Sequence, residues 1–274
     1  MNIEERADDI RKKFIRTAAL VEATHVASSL SCIDIITALY FGGVLRYDPS
    51  DPLAESRDRF ILSKGHAAVA LYNALCEAGF FTREALHTYC KPGSIFGGLA
   101  TSQAPGVEWT TGSLGHGPPL AVGTALSLRL KKSNSLVYLL TGDGECQEGS
   151  VWEAAASISR YNLTNLIWII DNNKIQSTDR VDVVMGLEPL EEKLKSFGFE
   201  TVSVDGHSCR ELVSVLSVDR GCLPEKPLAV IANTIKGKGA SAVENKTDSH
   251  SKMLSREEYS AAFKEFGVPE DETS

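Results

Sequence analysis

No stretch of the chain approaches the roughly 18 uninterrupted apolar residues of a membrane span, so none is expected. The opening residues, MNIEERADDIRKKF, are charged from the third onward and have no apolar core, which argues against a secretory signal. A positive excess is missing as well: 28 basic against 36 acidic residues give a formal charge of −8, no encouragement to nucleic-acid binding. The single basic run, Arg129-Leu130-Lys131-Lys132, closes an apolar helix pattern, where cations suit the negative end of the helix dipole. Six cysteines (Cys32, Cys76, Cys90, Cys146, Cys209, Cys222) include no C-x-x-C pair. A chain of 274 residues needs no disulfide stapling, so reduced thiols in a cytoplasm are the simplest account, and a Cys/His metal site is not expected. Repeats and low-complexity segments are absent. The remainder, 43% hydrophobic and 23% charged, is ordinary for a soluble globular protein.

Helical spacing runs from residue 5 to 23, with Ile10, Phe14, Ala18 and Val21 on one face, and again from Cys32 to Tyr40, stopping at Gly42-Gly43. Arg59–Leu62 reads as a short strand, followed by Ser63-Lys64-Gly65-His66 and a small-residue helix beginning near Ala67. Residues 91–117, rich in Gly, Pro, Ser and Thr, form a long loop of the length that usually carries function. Two fully apolar runs, Leu136–Leu140 and Leu166–Ile170, predict buried strands around a helix from Gly149 to Tyr161. Further strands are expected at Thr201–Val204 and Leu228–Ala232, with helices at Pro189–Phe197 and Cys209–Ser217. Strands buried on both faces and alternating with helices define an α/β fold with a parallel sheet. Ser255-Arg256-Glu257-Glu258 is a capping box opening a last helix to about Phe266. One domain is expected over 1–266, with 267–274 a disordered tail.

In open parallel sheets, ligands bind beyond the carboxyl ends of the strands. Two successive strands end here in Gly142-Asp143-Gly144 and Asp171-Asn172-Asn173-Lys174-Ile175. Asp143 and Asn173 lie 30 residues apart, the span of one strand–helix–strand crossover, so their side-chain oxygens can converge at one sheet edge. Hard divalent cations take oxygen ligands and share them with phosphates. Gly144 allows close backbone approach to a phosphate, and the following helix offers its positive end. Either Asp143 or Asn173 alone would be an ordinary turn residue; the combination is what is specific. The spacing Gly142-x-Gly144, with the next glycine at 149, is not a dinucleotide-binding G-x-G-x-x-G.

The string GDGECQEGSVWEA followed by DNNKI resembles the thiamine-diphosphate motif of transketolases. The resemblance implies a parallel-sheet, pyrophosphate-binding domain of the thiamine-diphosphate fold. It also implies a divalent metal, magnesium or else calcium or manganese, held by Asp143, Asn173 and the Ile175 carbonyl. Glu148 matches a family glutamate near the subunit contact that is linked to cofactor activation. DRFILSKGHAAVALY is similar to the family segment that places an imidazole, here His66, on the diphosphate. VEWTTGSLGHG resembles the loop beside the thiazolium, carrying over to Gly112, Ser113 and Leu114. NTIKGKGASAVENKTDSH is similar to the flexible loop whose histidine, here His250, reaches diphosphate and substrate; His25 matches an N-terminal substrate histidine. The match runs from about residue 10 to 266.

The glutamate that activates the cofactor's aminopyrimidine belongs in this family to a second, pyrimidine-binding domain, and no second run of αβ units follows here. The resemblance therefore implies the N-terminal subunit of a split enzyme, paired with a pyrimidine-binding chain, two copies of each. Its reaction would be transfer of a two-carbon ketol unit from a ketose, expected to be phosphorylated, to an acceptor, with His25 and His250 handling donor oxygens. Two departures bear on the substrate. Leu99-Ala100 follow Gly97-Gly98 where many members have a histidine, and Ala27 and Ser28 replace glycines near His25. Two other readings are the alpha subunit of a 2-oxoacid decarboxylating complex, against which SKGH, TTGSLGHG and IKGKG argue, and a non-catalytic regulatory paralogue.

Overall fold

The computed structural model of the chain describes residues 1–269. Helices α1 (Ile3–Leu20) and α2 (Val26–Phe41) come first, then strand β1 (Arg59–Leu62), helix α3 (Ala68–Glu77) and the single turn α4 (Arg83–Leu86). After a long irregular segment, α5 (Gly117–Leu130) leads into β2 (Val137–Gly142), α6 (Gly149–Arg160) and β3 (Leu166–Asn172). The short α7 (Val181–Met185) and α8 (Leu190–Ser196) precede β4 (Glu200–Asp205), α9 (Cys209–Leu216), β5 (Leu228–Asn233) and α10 (Arg256–Phe266).

The strands form one parallel sheet in the order β1-β2-β3-β5-β4. Alternate residues of the central strands face opposite layers. Tyr138, Leu140, Ile167 and Ile169 join a core built with α1, α2, α3 and α10, while Val137, Leu139, Trp168 and Ile170 join one built with α5, α6 and α8. This is the helix-covered parallel sheet expected from the apolar runs, with one difference. β4 closes one edge of the sheet, and of its residues only Val204 is buried.

The α2 helix begins at Val26, six residues before the expected start at Cys32. Its residues from Val26 to Tyr40 are all buried, so no amphipathic stripe marks its first turns in the sequence. The α1 helix opens with a capping box in which Asn2 and Glu5 exchange hydrogen bonds, and α10 opens with the Ser255–Glu258 box. Two residues of the disordered tail expected over 267–274 are instead held against α10. Gly267 caps α10 in the left-handed region at φ 63°, and the buried Val268 donates its N–H to the Phe263 carbonyl at 2.7 Å. The rest of that expectation, 270–274, lies outside the described residues. Among the described residues no helix is long and apolar enough to cross a membrane, and the six cysteines are free thiols.

Phe14 is fully buried in the α1–α2 layer. Phe14→Ala should lower unfolding free energy by about 3–5 kcal/mol through lost transfer energy and the cavity left behind. Urea titration would register this as a lower midpoint at unchanged slope.

Candidate functional site

The carboxyl ends of β1, β2 and β3 and the segment after β5 open onto one cavity of about 180 Å³. At its base Asp171, near the end of β3, is fully buried and accepts hydrogen bonds from the Ser31 hydroxyl (2.8 Å to each oxygen), the Thr234 hydroxyl and the Lys64 ammonium. Lys64 also donates to the Ser28 carbonyl at 3.1 Å. Burial works against both charges, but each holds the other ionised: Lys64 stays above its ordinary pKa and Asp171 below. The sequence assigned neither residue a role. The available signal was a charge placed directly after an apolar strand, which is rarely buried unless paired.

Gly142 sits opposite Asp171 in the β2–β3 register, so the two strand ends leave the sheet side by side. Asp143 accepts from the Gly144 N–H at 2.8 Å and, across the gap, from the Lys174 N–H at 2.6 Å. Asn173 donates through Nδ2 to the Ser31 hydroxyl at 3.1 Å, and its Oδ1 accepts from the Ile175 N–H at 3.1 Å. Asp143, Asn173 and Ile175 all line the cavity. A Cβ on Gly144 would lie 2.8 Å from the Gln176 Cβ, so this glycine is also what lets the β2 and β3 loops touch. A 3-10 turn over Gly144–Gln147 follows, and α6 starts at Gly149, where the sequence places its helix.

Asp143 is 3% exposed and has no ion-pair partner among the described residues. Burial, then the neighbouring Asp171 charge, raise its pKa to about 6. A raised carboxyl favours the fold fully below its unfolded value near 4 and loses that contribution as pH rises through about 6, so at neutral pH the ionised group is a burden on the chain alone. A cation beside it would remove the burden. Among the described residues no three His, Cys, Asp or Glu side chains gather as a metal site. The donors here are one carboxylate, one amide and one main-chain carbonyl, an all-oxygen set that fits a hard divalent cation.

Three histidines from distant segments meet above this floor. The ring centres of His25 and His66 are 5.4 Å apart, of His25 and His250 5.2 Å, and of His66 and His250 4.9 Å. His66 rides on a 3-10 turn after β1, where a Cβ on Gly65 would lie 2.6 Å from the Thr111 backbone. His25 holds a left-handed conformation at φ 58°, sparsely populated by residues other than glycine, at the head of α2. Burial lowers all three pKa values, helped by nearby lysines, and takes His250 to about 3, so the cluster is uncharged at neutral pH. Lys236 donates to the carbonyls of Ile175 and Gln176 at 3.2 Å each and lies 3.1 Å from His250 Nδ1; burial, then Lys64, bring its pKa down to about 8.

The other residues singled out from the sequence are less uniform in place. Leu114 lines the cavity, as do His66, His250, Gly144 and the exposed rim residue Glu148, whereas Gly112, Ser113 and His25 lie outside the lining. Leu99 packs on Gly112, where a Cβ would come within 2.5 Å of it, and Ala100 joins Gly65 to Thr111 by backbone hydrogen bonds at 3.0 Å. Ser28 lines the cavity and Ala27 is buried beneath it. Glu145 went unnoticed in the sequence. It is buried in the lining and ties three segments together, accepting from the Ser63 hydroxyl, the Gly115 N–H at 2.9 Å and the Gly142 N–H at 3.2 Å; burial raises its pKa.

A family model for the thiamine diphosphate binding domain of transketolase matches residues 4–273. The chain is 36% identical over 264 residues to one subunit of an apulose-4-phosphate transketolase from Phocaeicola vulgatus, covering 96% of this chain and 93% of that one. It is 38% identical over 266 residues to a 6-deoxy-6-sulfo-D-fructose transketolase subunit of a Clostridium species, covering 97% and 96%. The solved transketolase from Campylobacter jejuni superposes with a TM-score of 0.90 at 29% identity, over 98% of this chain and 43% of that one. The chain thus spans less than half of the solved transketolase and nearly all of the two subunit-sized relatives.

The Lys64–Asp171 pair sets a stability expectation. Lys64→Met should cost about 3–5 kcal/mol by stranding a buried carboxylate, and adding Asp171→Leu should restore a large part of it. Chemical denaturation of the two variants measures the difference.

Proposed function

The chain belongs to the family of transketolase thiamine-diphosphate-binding domains, and from that premise we propose that it is the diphosphate-binding subunit of a two-component transketolase. The convergence of Asp143, Asn173 and the Ile175 carbonyl on one cavity carries the reading. These three hold a divalent metal, magnesium in the first instance and calcium or manganese as substitutes. Lys236 would supply positive charge for a diphosphate, His66 and His250 would hydrogen-bond it, and Asn173 and the backbone at Gly144 would close around it. Gly112, Ser113 and Leu114 form the adjoining wall for the ring system.

Bound thiamine diphosphate supplies the electron sink for breaking and making a carbon–carbon bond. The protein's share is placement and hydrogen bonding. His25 and His250, which burial keeps uncharged, can each give a hydrogen bond to a sugar oxygen or accept one from a sugar hydroxyl. Ketol transfer from a ketose donor, taken to be phosphorylated, to an aldehyde acceptor is the reaction assigned. The two relatives, 36% and 38% identical to this chain, are named for different sugars, so neither donor is carried over to it. Leu99 and Ala100, in place of a polar side chain, bear on donor choice, because a missing buried hydrogen bond changes discrimination strongly.

The cavity is smaller than the roughly 300–1,000 Å³ of a typical small-molecule site, so a cofactor seated here is enclosed by more than this chain. A pyrimidine-binding partner subunit provides the rest, with Glu148 on the rim facing it, in an assembly with two copies of each chain. Six free thiols suit a reducing cytoplasm.

Titrating the chain, together with its partner, with thiamine diphosphate and magnesium should give saturable binding, and Asp143→Ala should abolish the metal-dependent part while leaving the fold largely intact. Undiminished affinity in that variant would remove the metal assignment, and no saturable binding by the unaltered protein would favour a non-catalytic paralogue. Because a proton competes with the metal for Asp143, magnesium-dependent affinity should hold above pH 6 and fall about tenfold per pH unit below it. The single chain should show no ketol transfer until the partner is added; turnover by the pure chain would refute the split assembly, and consumption of a 2-oxoacid alone would replace ketol transfer with decarboxylation.

A further inference from the structure

We propose that His207 is a positioning residue that fixes the Lys236–His250 wall of the cavity from behind, through a single backbone hydrogen bond. The cofactor arm of this inference rests on the function proposed above; its structural arm does not. His207 lies in the turn between β4 and α9 and is absent from the cavity lining. Its Nε2 accepts the Ile235 N–H at 2.8 Å, so that nitrogen carries no proton. The ring proton is therefore on Nδ1, which faces Asp34 Oδ2 at 2.6 Å. Asp34, buried in α2, is gripped by the Arg11 guanidinium at 2.7 and 2.6 Å, and that carboxylate orients the imidazole. The order Arg11, Asp34, His207, Ile235 N–H runs from the first helix to the segment after β5 with every donor matched to an acceptor.

Position 235 is where such a bond has most effect, because the next residue is Lys236. Thr234 on one side is held to Asp171 by its hydroxyl and to the Asn172 carbonyl by its N–H at 3.4 Å. Gly237 on the other side donates to the Ala27 carbonyl at 2.9 Å. His207 is the pin between them. It sets the plane of the peptide leading into Lys236, whose ammonium must reach Ile175, Gln176 and His250 at once. Without the imidazole acceptor, the Ile235 N–H is left unmade and that aim is lost. A residue outside the cavity thereby governs two groups that line it.

Two substitutions separate positioning from general stability. His207→Asn keeps a donor toward Asp34 and offers nothing to Ile235, whereas His207→Gln places a carbonyl oxygen near the Nε2 position and gives up Asp34. Both should lower the melting temperature. In the full chain, amide hydrogen exchange read by mass spectrometry over 233–250 should accelerate about tenfold in H207N and stay within about twofold of the parent in H207Q. With the partner present, thiamine diphosphate affinity in magnesium should fall about tenfold in H207N and little in H207Q, the weight of one buried hydrogen bond. Parent-like exchange in H207N, or equal effects of the two substitutions on exchange and affinity, would overturn the proposal. Failure of the unaltered protein to take up cofactor would count against the function proposed above, while the exchange readings decide the role of His207 on their own.

Discussion

The contact between Lys64 and Asp171 is the constraint on which the rest of the site depends. Lys64 follows β1 and Asp171 is the next-to-last residue of β3, with β2 between them, so one ion pair reaches across a strand and fixes three carboxyl ends against one another. Isolated, either charge would be prohibitively costly at this depth. Together, and satisfied by Ser28, Ser31 and Thr234, they form a polar floor in an otherwise apolar sheet. Asp143 and Asn173 are set by that floor: the Asp143 N–H donates to the Asp171 carbonyl at 3.1 Å, and the Asn173 amide shares Ser31.

The charges above the floor follow from the same crowding. Three imidazoles with ring centres 4.9 to 5.4 Å apart stay neutral because they are buried beside two lysines that already fill the space with positive charge. Neutral imidazole keeps both an acceptor and a donor nitrogen, which protonated imidazole does not. The lysines thus help burial to hold the neighbouring histidines uncharged, each with one donor and one acceptor nitrogen.

Much of this was legible in the sequence because it was written in local patterns. The apolar runs at 136–140 and 166–170 located the central strands, the glycine-flanked Asp143 and the paired asparagines located their ends, and the small residues after β1 located the turn bearing His66. What escaped notice has a common cause: its meaning is set by partners far along the chain. Glu145 is an ordinary acid until Ser63, Gly115 and Gly142 close on it, and Asp171 stands near a strand end like any turn residue until Lys64 arrives from 107 positions away. The early start of α2 escaped for a related reason, since a helix covered on every side has no periodicity to display. The exposed β4 shows the converse, an edge whose position in the sheet no local pattern encodes.

The buried α2 helix has a further consequence. Ser28, Ser31 and Asp34 recur at every third residue, and they serve in turn the Lys64 ammonium, the Asp171 carboxylate, and the Arg11 and His207 side chains. Inserting or deleting one residue between Ser28 and Asp34 would turn everything beyond it by about 100°, so the three stations could no longer face their partners at once. Natural length variation should therefore be excluded from this part of α2.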